Sequence, residues 1–434
     1  MSIDILVTNC TLASETTGAV SSSSSYIAID NGLIMEMGPL DDCPEFQPRH
    51  LVDGQGQLAM SGLVNGHCHA PMTLFRGMAD DLALHQWLND HIFPAEAAHV
   101  DHDMVYWCTK LAAAEMLLSG TTTVADGYFH EHGAAMAFAE AGIRAIPAQA
   151  IIDFPAPGVP DPADALAVAR DFIETWQGKN PLITPGIFAH APYTCSARTL
   201  VKAKELAATR GVPFFLHLAE TKGEIDLISD PQGVTPVQHL AALNVLDSET
   251  ICVHSIWLTD QDIDILSNSN CSVITCPQSN MKLASGIAKL PQMMTQGIRI
   301  GIGTDGAASN NNLDLFREMD CCAKVQKTPT LDPVGVSAAQ VLKAATDGGA
   351  RALSLPLNIG SLRPGNVADL ILVDINQPHL QPFYSLDTLV YSGNGNDVQT
   401  VIINGQIVVQ DREIRTFDLE QTKHRVLELA SRIS

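Results

Sequence analysis

The chain has 434 residues, enough for a barrel-sized core with an attached module, and at 46% hydrophobic and 17% charged it has the composition of a compact globular protein. A formal net charge of −23 argues against a nucleic-acid or anionic-membrane surface. No apolar run approaches the roughly 20 residues that span a bilayer. The first residues, Met1-Ser2-Ile3-Asp4-Ile5-Leu6, lack the basic and apolar succession of a secretory leader, so we expect a cytoplasmic protein without membrane contact. The 10 cysteines show no Cys-x-x-Cys spacing, and Cys252 and Cys271 lie in strand-like runs, so buried reduced thiols are expected.

In chain order, residues 3–57 carry Asn31-Gly32 between alternating apolar runs, a hairpin signal. The Ser21–Ser25 run reads as a flexible loop. An apolar strand at 61–66 runs into His67-Cys68-His69. Strand patterns at 121–126, 143–151, 182–190, 212–217, 250–254, 271–276 and 298–304 then alternate with helical patterns such as 103–118, 131–141, 162–176, 197–209 and 338–353. Eight strands separated by helices predict a (β/α)₈ TIM-like barrel of the α/β class. Residues 362–412 return to strands and repeat the hairpin signal at Asn404-Gly405. Both ends together predict a composite β-sandwich domain, 1–57 plus 362–434 with a C-terminal helix, beside a catalytic barrel of 58–361.

Side chains two apart on a strand share a face, so His67 and His69 can converge while Cys68 points away. Neutral imidazoles suit Zn²⁺ or Fe²⁺. Taken alone, the pair reads equally well as a strand cap and a core histidine. Later strand ends tip the balance. Val212-Pro213-Phe214-Phe215-Leu216-His217 and Thr250-Ile251-Cys252-Val253-His254 each end in histidine, and Ile298–Gly303 leads into Thr304-Asp305. A parallel barrel collects such positions at its C-terminal face, where active sites of this architecture lie.

With these residues in place the chain resembles the amidohydrolase superfamily. The strings Gly62–His69, His217-Leu218-Ala219-Glu220-Thr221 and Gly303–Asp314 look like those of the 5-methylthioadenosine/S-adenosylhomocysteine deaminases, over essentially the whole chain. The resemblance implies metal-dependent hydrolytic deamination of adenine nucleosides in a homo-oligomer. His67, His69, His217 and Asp305 would bind one divalent ion, zinc first and iron(II) as the alternative, leaving room for an activated water. Strand 4 ends in His190 and offers no lysine for a bridging carbamate, which points to one metal. Glu220, His254 and Asp305 are the expected catalytic groups: Glu220 for the ring nitrogen, His254 for the attacking water and Asp305 for the leaving amine. The plain alternatives make Glu220 a helix cap and His254 a core histidine.

The resemblance also places Glu96 on the ribose hydroxyls and His190 on the nucleoside, and an indole such as Trp87 can cover an apolar 5′ substituent. Against this, Glu96 could be a solvated helix residue and Trp87 a core anchor. His85, His91, His99 and His102 read as surface or packing residues. No Arg or Lys occurs between Arg144 and Arg170, so the loop after strand 3 offers a homocysteine carboxylate no cation and suits a methylthio tail better. A guanine or cytosine deaminase or a triazine hydrolase would keep the same metal set and differ in its loops. A non-catalytic barrel would have lost ligands, and every candidate is retained.

Overall fold

The structure, a computed structural model, describes residues 1–14, 18–228 and 233–433. Eight parallel strands form one sheet in sequence order: β1 (Leu63–Cys68), β2 (Thr121–Tyr128), β3 (Arg144–Ile151), β4 (Gly186–Ala189), β5 (Phe214–Leu218), β6 (Thr250–His254), β7 (Ser272–Thr275) and β8 (Arg299–Ile302). The sheet curls until its edges meet. The Asn65 amide donates to Thr304 Oγ1 at 2.8 Å, and the amides of Thr304 and Asp305 donate to the His67 carbonyl at 3.1 and 3.0 Å. A Cβ on Gly303 would lie 2.7 Å from the His67 amide, so only glycine permits this approach.

The strand interiors are apolar because both faces are covered. Val64, Ile146, Phe188, Phe215, Ile251 and Ile274 fill the barrel, and Ala350, Ala352 and Leu353 join that cluster. The stretch 338–353, expected as one helix, is two, Ala338–Ala344 and Asp347–Ala352. The break falls where the Ala345 carbonyl accepts from the Val64 amide of β1 at 2.8 Å. Strand β4 is shorter than expected, although Ile183 makes a bridge to Ala145.

The terminal strands form a second, 10-stranded sheet. Both Asn-Gly turns close hairpins, pairing Asp30 with Leu33 and Ile403 with Gln406, with positive φ at all four turn residues. Leu58–Ser61, placed in the barrel by the boundary at residue 57, instead pairs with Ser2–Ser14 and Leu370–Val373 of this sheet. Its first strand bends at Asn9, φ 53°, and so has different partners on either side: Gln47–Asp53 before the bend and Leu58–Ser61 after it. Ile5, Val7, Ile27, Ile29, Leu370 and Ile402 pack together between these segments. The C-terminal helix Leu419–Ala430 lies against helix His102–Leu118, with Arg425 reaching Asp103 at 3.4 Å. Among the described residues no helix is long and apolar enough to cross a membrane.

Candidate active site

The strand ends bring the expected donors together. One ligand atom each from His67, His69 and His217 lies within 4.8 Å of the others. Asp305 Oδ1 stands 3.5 Å from His67 Nε2 and 3.4 Å from His69 Nε2, and the Nε2 atoms of His69 and His217 are 3.3 Å apart. The chain turns sharply at or just beyond the ends of β5, β6 and β8, with left-handed φ at Ala219 (49°), His254 (67°) and Asp305 (59°). Such conformations cost energy and persist where surrounding contacts impose them, typically at functional sites.

His67 is 1% exposed, and among the described residues its Nε2 has no hydrogen-bond partner, Asp305 Oδ1 standing off at 3.5 Å. A buried polar atom left unpaired in this way calls for a ligand. Burial, then the neighbouring His69, lowers the His67 pKa to about 3, and burial also depresses His69 and His217. All three imidazoles are therefore neutral at pH 7, the form that ligates metal. Burial would raise Asp305, but contacts with His67, His69 and His254 outweigh it and hold the carboxyl well below its usual range. The Asp305 carboxylate also accepts from Ser279 at 2.6 Å, Ser309 at 2.7 Å and the Gly306 amide at 2.8 Å. His69 Nδ1 faces the Gly127 carbonyl, which aims Nε2 at the cluster. Three imidazoles and one carboxylate in this arrangement fit a single divalent ion.

Beside the cluster, His254 Nε2 lies 3.6 Å from Glu220 Oε2. Burial pushes the Glu220 pKa up, whereas for His254 the carboxylates of Glu220 and Asp305 outweigh burial and raise it. The Glu220 backbone is tied by its amide to Glu224 Oε1 at 2.7 Å.

The same residues border a cavity with about 650 Å³ of non-atom space, its open mouth included. Its lining includes Trp87, Glu96, His190, Glu220, His254 and Asp305 together with apolar Leu84, Ile92 and Phe93. Glu96 is buried and accepts from Tyr128 Oη at 2.6 Å, and burial, partly offset by this bond, raises its pKa to about 7. It is no solvated helix residue. Trp87 is buried with its indole N–H unpartnered, and His190 Nδ1 is 2.8 Å from Thr194 Oγ1. No Arg or Lys is among the lining residues. His91 and His102 are exposed and His85 and His99 half-buried, none of them lining the cavity.

Sequence reasoning missed Tyr128 and the residues after β7, Ser279, Asn280 and Ser285. The polar run Gln278-Ser279-Asn280 directly after an apolar strand was the available signal.

Comparison with known proteins agrees with this geometry. The model of the amidohydrolase family matches residues 58–408. The chain belongs to the amidohydrolase family. A 5-methylthioadenosine/S-adenosylhomocysteine deaminase of Syntrophobacter fumaroxidans is 43% identical over 94% of this chain and 93% of its own length. Deaminase 1 of the same name from Syntrophus aciditrophicus is 45% identical over 89% and 88%. Among solved structures, an adenosine deaminase from Xanthomonas campestris with bound zinc superposes with a TM-score of 0.95 at 35% identity, covering 100% of this chain and 99% of that one.

Proposed function

We propose that this amidohydrolase deaminates adenine nucleosides, converting 5′-methylthioadenosine and water to 5′-methylthioinosine and ammonia, with adenosine and S-adenosylhomocysteine as poorer substrates. The observation that carries the reading is the unpartnered His67 Nε2 among His69, His217 and Asp305, at a cavity also lined by Glu96, His190, Glu220 and His254. His67, His69, His217 and Asp305 would hold the ion. Zinc is our assignment, in keeping with the zinc-bearing Xanthomonas campestris protein, and iron(II) suits the same donors. When bound, such an ion lowers the pKa of a water toward about 7 and so supplies a nucleophile at neutral pH.

The remaining work falls to side chains. His254 takes a proton from the attacking water at Nε2. Glu220 donates a proton to the ring nitrogen next to the carbon under attack, which lets that carbon become tetrahedral without a charged ring. Asp305 takes the second proton of the added hydroxyl and passes it to the amine, which leaves as ammonia, and the proton held by His254 returns to Glu220, 3.6 Å away, for the next turnover. Glu96 accepts the ribose hydroxyls, His190 contacts the nucleoside, and Trp87 covers the 5′ group.

The test is elemental analysis of chelator-free protein combined with ammonia release from a panel of adenosine derivatives, guanine and cytosine. We expect one transition metal per chain and fastest release from 5′-methylthioadenosine. Metal-loaded protein that deaminates only guanine or cytosine would overturn the substrate assignment.

A further inference from the structure

One segment after β7 touches three of the site residues at once. Ser279 Oγ donates to Asp305 Oδ2 at 2.6 Å, Asn280 Oδ1 faces His254 Nδ1 at 2.8 Å, and Ser285 Oγ donates to Glu220 Oε1 at 3.3 Å. The segment holds its own shape. Ser279 and Asn280 lie in the short helix Pro277–Lys282, where the Asn280 amide donates to the Cys276 carbonyl at 2.9 Å, and the chain beyond the helix is tied back by the Ser285 amide donating to the Asn280 carbonyl at 2.9 Å. Asn280 is 2% exposed and His254 1% exposed, so the contact between them is not exchanged with water.

An imidazole has two nitrogens, and the hydrogen bond made by one decides which carries the proton. Asn280 Oδ1 is only an acceptor. It therefore requires a hydrogen on His254 Nδ1, which leaves the lone pair of neutral His254 on Nε2, the atom facing Glu220. We infer that Asn280 is a positioning residue that fixes the Nδ1–H tautomer of His254, making Nε2 the nitrogen that accepts the proton during turnover. When Nε2 is protonated, the same carbonyl still accepts from Nδ1–H, so the contact survives both states of the ring. The opposite tautomer would present an N–H where the lone pair is needed. Ser279 and Ser285 contact Asp305 and Glu220 from the same short segment, so all three groups share one reference frame.

This inference rests on the assignment of His254 as the proton acceptor, and its test separates the two. In the metal-loaded protein labelled with ¹⁵N-histidine, held at a pH above the titration of His254 and with His254→Gln used to assign the resonance, we expect the His254 spectrum to show a protonated Nδ1 and an unprotonated Nε2. Asn280→Leu should lose that pattern. It should also lower kcat for 5′-methylthioadenosine roughly ten- to hundred-fold, the usual cost of removing a residue that orients a site histidine, with KM and metal content unchanged. Asn280→Asp keeps an acceptor and should return kcat to within a few-fold of the parent. A protonated Nε2 in the unaltered protein, an unchanged kcat in Asn280→Leu, or an Asp variant as impaired as the Leu variant would each overturn the role. If Asn280→Leu fails to fold, the spectrum of the unaltered protein and the Asp variant still decide it. If the spectrum is as expected but no nucleoside releases ammonia, the reaction assignment falls and the tautomer assignment stands.

Discussion

The cavity is lined from two sources that differ in construction. One is the set of strand ends, carrying His69, His190, His217, His254 and Asp305, each fixed by the barrel hydrogen-bond ladder and by further contacts such as those of Ser279, Ser309 and Asn280. The other is the helical stretch between β1 and helix His102–Leu118, Leu84–His99, which supplies Leu84, Trp87, Ile92, Phe93 and Glu96 and includes a turn of π-helix at Trp87–Ile92. It is reached through left-handed residues at Gly77, Ala79 and Asp81. The strand ends hold polar atoms at fixed separations, as bond-making chemistry requires. The helical stretch presents mostly apolar area with one buried carboxylate, which suits recognition of a nucleoside's outer parts. Changes among the strand ends should therefore act on turnover, and changes in the helical stretch on affinity and choice of substrate.

The largest effect should come from emptying the histidine cluster. With three imidazoles held neutral by burial, chelation is expected to abolish activity and added Zn²⁺ to restore it. Chelated protein that elemental analysis shows to be metal-free yet retains full turnover would dissolve the distinction at its root. Next in size is Glu220→Gln. An amide cannot deliver a proton to the ring, so kcat should fall about 10²- to 10⁴-fold with metal content and KM preserved. A near-normal kcat would remove Glu220 from the chemistry and leave it a residue of the cavity wall.

Glu96 tests the other side. Hydrogen bonds to a charged group are worth about 1.5–3 kcal/mol each, so Glu96→Ala should weaken 5′-methylthioadenosine about 10- to 100-fold in KM while leaving free-base analogues little changed. Equal losses for nucleoside and base would contradict a ribose role. The carboxyl titrates at about 7 because burial raises it, so its charged form is lost as pH falls through that value. A protonated carboxyl offers fewer acceptor sites to two vicinal hydroxyls. Binding of the product nucleoside should weaken from pH 8 to pH 6, and Glu96→Gln should flatten that dependence; a pH-dependence unchanged in the Gln variant would assign it elsewhere.

The same division explains what could be read in the amino-acid string. The strand-end positions that converge on the cavity were legible because a period of two and an apolar run together specify both a strand and its end, as at Phe214–His217 and Thr250–His254. The hairpins at Asn31-Gly32 and Asn404-Gly405 were legible because turn chemistry is local. The pairing of Leu58–Ser61 was not, since its partners at Thr11–Leu12 and Leu370–Val373 are fixed by tertiary packing. Nor was the split of 338–353, where a carbonyl is drawn to β1. Tyr128 and Asn280 escaped because a single hydrogen bond across the cavity leaves no periodic trace.

The smallest effect concerns the 5′ tail, where the helical stretch meets the loop after β3. Phe93 packs on Phe154 with ring centroids 5.4 Å apart, and Asp153 of that loop is turned away to accept from Ser196 and Thr199 at the start of helix Ala197–Arg210. The basic residue nearest in sequence after β7, Lys282, is engaged by Asp80 at 2.6 Å and by the Ala308 carbonyl at 3.0 Å. A homocysteine carboxylate entering this region would leave water with no cation to meet it, and an unpaired buried charge is costly. A methylthio group carries no such cost and gains from apolar contact, about 0.8 kcal/mol for a methylene-sized group, or about fourfold. We expect kcat/KM for 5′-methylthioadenosine to exceed that for adenosine by about that factor, and that for S-adenosylhomocysteine by at least as much. The difference should appear in KM more than in kcat, because a tail placed as proposed would contact the helical stretch and not the strand ends. Steady-state kinetics on the three nucleosides under one set of conditions checks the order. A preference for S-adenosylhomocysteine would mean that a cation reaches the tail from outside this lining, and would make the helical stretch a polar recognition surface after all.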